Sequence, residues 1–121
     1  MDRRQIGQNA EDIAARFLQE QGIELLLRNY RRRLGELDLV GRDGDVLLIV
    51  EVRTRASDQY GTAADSIDFY KRRRIIRASL QLLQQRKDLA RSRVRFDVVI
   101  VSEPSSENPR VEWIKHAFEA G

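Results

Sequence analysis

Apolar residues recur at Ile6, Ala10, Ile13, Ala14, Phe17 and Leu18, the three-and-four spacing of one helical face, and Gly22 follows as a stop. Residues 3–21 are therefore predicted as an amphipathic helix, with Glu11 on the edge of its apolar face. Ile23 to Tyr30 reads as a strand, followed by the basic segment RRR and Gly35. In ELDLV the pattern alternates, with Leu37 and Leu39 on one side and Glu36, Asp38 and Val40 on the other, a strand with two unlike faces. Asp43-Gly44 is a hairpin signal. The run VLLIVEV is apolar on both faces, as expected of a central strand covered on both sides. Residues 54–66, TRASDQYGTAADS, predict a loop leading to an N-cap. Beyond it Phe69, Ile76, Leu80 and Leu83 mark the buried side of a second helix, and Lys71, Arg74 and Arg77 its opposite side. RVRFDVVIV reads as a strand, SEPSSENPR as a loop and VEWIKHAF as a last edge strand.

The predicted order is α-β-β-β-α-β-β, an α/β mixed sheet flanked by helices. The chain crosses once by a helix, which is expected to place the following strand parallel to a sheet neighbour. At 121 residues without repeats or an interdomain linker, the expectation is a single domain over residues 1–121. The charged start, MDRRQIGQNAEDIA, lacks the apolar stretch of a signal peptide, and no run is long enough to span a bilayer. A cytoplasmic protein with no membrane partner is the expectation. There is no cysteine, which removes disulfides, thiolate metal sites and cysteine nucleophiles. Any metal must bind through oxygen or through the single His116.

Charge changes the picture by where it lies. The net charge is only +3, but arginine outnumbers lysine 19 to 3 and the basic residues cluster. The groups are Arg28 with Arg31, Arg32 and Arg33, then Lys71 to Arg74 with Arg77, and Arg91, Arg93 and Arg95; Arg55 follows the central strand. Such clusters can neutralise phosphates and release counterions, although charge runs are also ordinary solvated faces.

The chemistry is carried by carboxylates. With the turn centred on Asp43-Gly44, Glu36 falls opposite Glu51 and Asp38 opposite Ile49. Glu36, Asp38, Glu51 and Arg53 then share a face, with Asp38 and Glu51 on a diagonal of roughly 7 to 8 Å. Two carboxylates so placed can converge on one hard cation such as Mg²⁺. Glu51 sits among Leu48, Ile49, Val50 and Val52, where an unpaired carboxylate would cost several kcal/mol or take up a proton. It needs a partner, either a cation or an arginine such as Arg53 or one from the basic segment. Asp97 in RFDVV reads as a structural partner for an arginine. Trp113 and Tyr70 read as core or rim aromatics, with stacking on bases as the other option.

The run GELDLVGRDGDVLLIVEVRTR resembles the YraN-type family of small bacterial proteins, predicted endonuclease-like members of the PD-(D/E)xK superfamily. GQNAEDIAARFL, RNYR, YG after the central strand, the basic start of the second helix, RFDVV and IKHAF agree with it. The resemblance implies a restriction-endonuclease-like fold. It sets Asp38 at the superfamily's metal-ligand aspartate, Glu51 at its acidic strand residue and Arg53 at its lysine. It adds the backbone carbonyl of Val52 as a metal ligand, and matches Glu11 to a first-helix glutamate that related resolvase-like nucleases use near the metal. Glu36, beside Asp38, reads as a supporting or surface carboxylate. Arg53 departs from the pattern, because arginine keeps its proton and cannot act as a base.

The resulting expectation is Mg²⁺- or Mn²⁺-dependent phosphodiester hydrolysis of nucleic acid, DNA before RNA, with Arg28, Arg31, Arg32, Arg33, Arg55, Lys71, Arg74 and Arg77 on the backbone. The alternative is a non-catalytic nucleic-acid-binding protein on the same fold, and a scaffold domain for acidic partners is a third class. Whether two copies pair as a homodimer to cut both strands is left open by the sequence.

Overall fold

The computed structural model describes residues 2–55 and 67–120. Helix α1 spans Arg3–Glu20. Strands β1 (Glu24–Arg32), β2 (Gly35–Asp43) and β3 (Val46–Arg55) follow. Helix α2 spans Phe69–Gln85, and strands β4 (Arg93–Ser102) and β5 (Arg110–Phe118) complete the order. The five strands form one sheet in the order β1-β2-β3-β4-β5. All neighbours run antiparallel except β3 and β4, which are parallel as the crossover requires. This is the expected α/β order, and it agrees with a restriction-endonuclease-like fold. Among the described residues no helix is long and apolar enough to cross a membrane.

The sheet is covered on both faces, which is why β3 reads as apolar throughout. Leu48 and Val50 pack with Ala10, Ala14, Ala15 and Leu18 of α1. Leu47 and Ile49 pack with Ile75, Ala78 and Leu82 of α2. Each helix opens on an aspartate that accepts a backbone N–H of its first turn: Asp2 from Gln5 and Asp68 from Lys71, both at 2.8 Å.

Several details differ from the sequence expectations. The β2–β3 turn is Gly44-Asp45, since Asp43 pairs with Val46. Gly44 has φ +61, and the positive angle at the first central position is the pattern of a II′ turn, which wants glycine there. The register therefore moves by two residues, and parity is kept. Leu37 and Leu39 do not share a side: Leu37 packs with Val40 toward α2, whereas Leu39 packs toward α1. Alternation fails there because the pairing of β2 with β3 ends at Leu39↔Val50, while β2 stays paired with β1 as far as Gly35.

The buried stripe of α2 is Ile75, Ala78, Ser79 and Leu82. Phe69 and Leu80 are exposed instead. Small side chains at Ala78 and Ser79 let the helix approach the sheet, and the Ser79 hydroxyl donates to the Ile76 carbonyl, so it enters the core satisfied. Lys71 lies four residues before Ile75 and so belongs to this stripe, not to the opposite side. The basic segment is partly strand, with Arg31 and Arg32 in β1 and Arg33 in the turn before β2. The predicted 54–66 loop yields Thr54 and Arg55 to β3; its residues 56–66, including the Tyr60-Gly61 pair, lie outside the described residues.

Candidate functional site

The β2–β3 pairing ends at Leu39↔Val50, and the Asp38 and Glu51 side chains meet just beyond it. The backbone ladder does not continue. The Val52 N–H donates instead to Asp38 Oδ2 at 2.9 Å, so the Asp38 carboxylate fills the gap between the parting strands. Glu51 is only 5% exposed. Its carboxyl is pushed up from the ordinary 4.5 to about 8, first by burial and then by the charge of Asp38. A hydrogen bond between the two carboxyls raises it further, while Lys71 and Arg53 pull it down.

Two cations approach Glu51 Oε1: Lys71 Nζ at 3.3 Å and Arg53 Nη2 at 4.0 Å. The second distance is too long for a hydrogen bond. Arg53 Nε is buried and, among the described residues, has no hydrogen-bond partner. Of the arginines offered by the sequence as partners, only Arg53 comes near. Lys71 is the partner that the sequence did not offer, because apolarity placed it opposite the buried side of α2; of that predicted side Ile76 and Leu83 do pack against the core, while Phe69 and Leu80 are exposed. The signal was its place four residues before Ile75.

Glu11 reaches the pair from α1. Its carboxyl is raised by burial and then by the charge of Asp38, against the lowering effects of Arg28, a hydrogen bond to Asn29, and Arg31. Asn29 lies between two paired positions, Arg28↔Leu39 and Tyr30↔Leu37, which puts it opposite Asp38. Its φ of 52 is in the left-handed region, where asparagine is one of the few side chains at home. The RNYR run carried this residue, but only the backbone shows its place.

Glu36 is elsewhere. It lies opposite Arg31 on β1 and meets its guanidinium at 3.6 Å, which corrects its expected position opposite Glu51. Among the described residues no three His, Asp or Glu side chains gather about one point, so the close carboxylates are a pair, with Glu11 flanking.

The basic residues divide by place. Gly35 lies under the Arg74 carbonyl so tightly that a Cβ on it would stand 2.2 Å from that oxygen. This contact joins the hairpin cluster, Arg31 to Arg33, to the α2 cluster, Arg73, Arg74 and Arg77, at the end of the sheet that holds Asp38 and Glu51. Some of these are already engaged. Arg28 binds Asp12 at 2.6 Å, and Arg32 lies 4.2 Å over the Tyr30 ring. Arg33, Arg74 and Arg77 are exposed. Arg55 ends β3, and its carbonyl accepts the Glu103 N–H. Arg93 pairs with Val46 at the far end of β3, so the third cluster is remote from the carboxylates, and Arg95 is spent on Asp97. Beside Lys71, Phe69 and Tyr70 are 65% and 78% exposed with rings edge to face at 6.2 Å, so Tyr70 is not a core residue.

The five-stranded mixed sheet covered by two helices agrees with a restriction-endonuclease-like fold. The chain belongs to the UPF0102 family: the model of "Uncharacterised protein family UPF0102" matches residues 10–101, which include Glu11, Asp38, Glu51, Arg53 and Lys71. It is 47% identical over 113 residues to a UPF0102 protein of Frankia casuarinae, covering 93% of this chain and 95% of that one. A UPF0102 protein of Pseudomonas aeruginosa is 44% identical over 115 residues, 94% and 92% of the two chains. One from Rhodococcus opacus is 42% identical over 113 residues, 93% and 95%. The YraN-type resemblance read from the motifs is thereby borne out.

Proposed function

We propose that this chain is a metal-dependent nuclease that hydrolyses phosphodiester bonds of DNA or structured nucleic acid. One observation carries the reading: Glu51 is buried against the Asp38 carboxyl, and among the described residues only Lys71 at 3.3 Å and Arg53 at 4.0 Å bring positive charge to it. A buried like-charged pair is costly unless a cation shares it. The donors are hard oxygens, which suits Mg²⁺ or Mn²⁺. Asp38, Glu51 and the Val52 carbonyl would hold the ion, with Glu11 at its edge. When bound, the metal would neutralise the scissile phosphate and lower the pKa of a water.

The chain's own residues supply the rest. Arg53 is a permanent cation with a part-exposed side chain, whose guanidinium can stabilise negative charge on a phosphate oxygen. Arg33, Arg74 and Arg77 offer exposed charge to the backbone on the same end of the sheet, and Phe69 and Tyr70 offer ring faces to bases. The second reading, a nucleic-acid-binding module without turnover, is favoured by the carboxylates being a pair and not a closed cage.

The test is single-turnover cleavage of labelled duplex, branched and single-stranded DNA with excess Mg²⁺ or Mn²⁺. Wild type should cleave at least one form and Asp38→Ala none. Tight binding of nucleic acid without cleavage by the wild type would establish the second reading instead.

A further inference from the structure

The strand pattern puts an arginine where a strand lysine would serve, but the ammonium nearest to Glu51 comes from another element. Lys71 Nζ lies 3.3 Å from Glu51 Oε1, closer than the Arg53 guanidinium at 4.0 Å. This placement is built by three local devices. Asp68 accepts the Lys71 backbone N–H at 2.8 Å and so fixes the first turn of α2. Ile75, one turn on, seats that face of the helix in the core. Gly35 lets the Arg74 carbonyl come so close that any larger residue would push the helix off the sheet.

The two cations differ in what they can do next. Arg53 is planar, with its Nε already buried, and can turn only as a unit. Lys71 carries a compact charge on a four-carbon stem with three donors, and its side chain is part exposed, so it can leave Glu51 for another anion nearby without moving α2. A divalent ion held by Asp38 and Glu51 would take over the charge that Lys71 now answers. The nearest anion left for the ammonium would then be a phosphate held by that ion.

We infer that Lys71 is the site's working ammonium: it holds Glu51 when no metal is bound and passes to the scissile phosphate when the metal arrives. The inference rests on the nuclease reading above and deepens it. On this account helix α2 supplies in space the lysine that β3 lacks in sequence, and Arg53 is an auxiliary cation. Lys71 and the metal then compete for one carboxylate, a consequence that a purely structural ion pair to a non-ligand glutamate would not have.

The experiment compares wild type, Lys71→Met, Lys71→Arg and Arg53→Ala, with Lys87→Met as a control at the short turn after α2. Circular dichroism checks that each is folded; should Lys71→Met unfold, Lys71→Gln replaces it. Calorimetric titration with Mn²⁺ should show Lys71→Met binding the ion several-fold more tightly than wild type, because the competing charge is gone. Single-turnover cleavage at saturating Mn²⁺ should fall by about 10² to 10³ in the same variant, the scale of one lost transition-state donor. Lys71→Arg should recover part of the rate, Arg53→Ala should lose less than Lys71→Met, and Lys87→Met should match wild type. If Lys71→Met keeps both the wild-type affinity and the wild-type rate, the inference is overturned and the nuclease reading stands. If wild type neither binds Mn²⁺ nor cleaves, the nuclease reading fails and takes the inference with it.

Discussion

Two carboxylates lie inside this sheet on adjacent strands, and they are treated in opposite ways. Asp97 of β4 is fully buried and fully answered: Arg95 grips both of its oxygens at 2.8 Å, Trp113 Nε1 donates at 2.9 Å and the His116 N–H at 3.0 Å. Those partners belong to its own strand and to β5. Glu51 of β3 is one register step away and has a like charge against it, one ammonium from a helix and one guanidinium out of hydrogen-bond range. A carboxylate with four N–H donors from three residues is a structural bolt, because nothing else is needed for it to be ionised and buried. A carboxylate short of donors and facing another acid has a vacancy for positive charge. The same residue chemistry thus separates a part of the frame from a candidate site, and satisfaction, not burial, is the discriminating property.

The largest effect should come from breaking the satisfied partner. Asp97→Ala leaves a part-exposed guanidinium, an indole N–H and a backbone N–H without their acceptor at once, and should cost about 3 to 5 kcal/mol. Thermal unfolding should show the midpoint falling by roughly 10 °C or more; a loss below about 1 kcal/mol would mean that Asp97 is not the bolt described.

Next comes the contact that brings Lys71 to Glu51. Gly35→Ala places a methyl against the Arg74 carbonyl and should cost about 1 to 3 kcal/mol, since backbone cannot yield as a side chain tip does. Denaturant unfolding measures it. A neutral result would show that α2 does not depend on this close approach.

Glu51→Gln should have the opposite sign to Asp97→Ala. The folded state raises the Glu51 carboxyl to about 8 from an ordinary 4.5, so the fold binds that proton more tightly than the unfolded chain does. Its contribution is fully present below about pH 4.5 and is lost as pH rises through about 8. Without metal, the glutamine variant should therefore gain on wild type across that window, by about 1 kcal/mol or more at pH 8.5. Unfolding curves for both proteins from pH 5 to pH 9 give the difference directly; a difference that does not change with pH would remove the claim of an under-satisfied carboxylate.

The smallest effect on stability should come from the exposed arginines. Arg74→Ala with Arg77→Ala should leave the unfolding midpoint within about 0.5 kcal/mol. The salt dependence of nucleic-acid affinity should flatten by roughly one unit per lost phosphate contact. An unchanged salt slope would place the nucleic-acid path elsewhere.

Much of the frame was legible because it rests on period. The first helix, the doubly covered third strand and the closing strands follow from spacing alone, and an aspartate in RFDVV flanked by arginines read correctly as a structural partner. The Asp38–Glu51 encounter survived a wrong turn because the error was two residues, which preserves the face, and Glu36 did not survive it. What spacing could not show was the splitting of β2 from β3, where an aspartate side chain replaces a strand's bond to Val52. Spacing found Ile76 and Leu83, which pack at the edge of the core, but not the centre of the buried stripe of α2, since Ala78 and Ser79 weigh little in apolarity and much in closeness. Lys71 was lost with that face. Its charge suggested solvent, and only the helix's approach over Gly35 reveals that its ammonium lies beside Glu51.

The central claim is that the unsatisfied pair, and not the buried charge as such, makes a cation site. Calorimetric titration of Mn²⁺ into wild type and Glu51→Gln at one pH tests it most directly. One equivalent should bind to wild type and none to the glutamine variant, which keeps the shape and loses the charge. Equal binding by the two proteins, or none by wild type, would contradict the account.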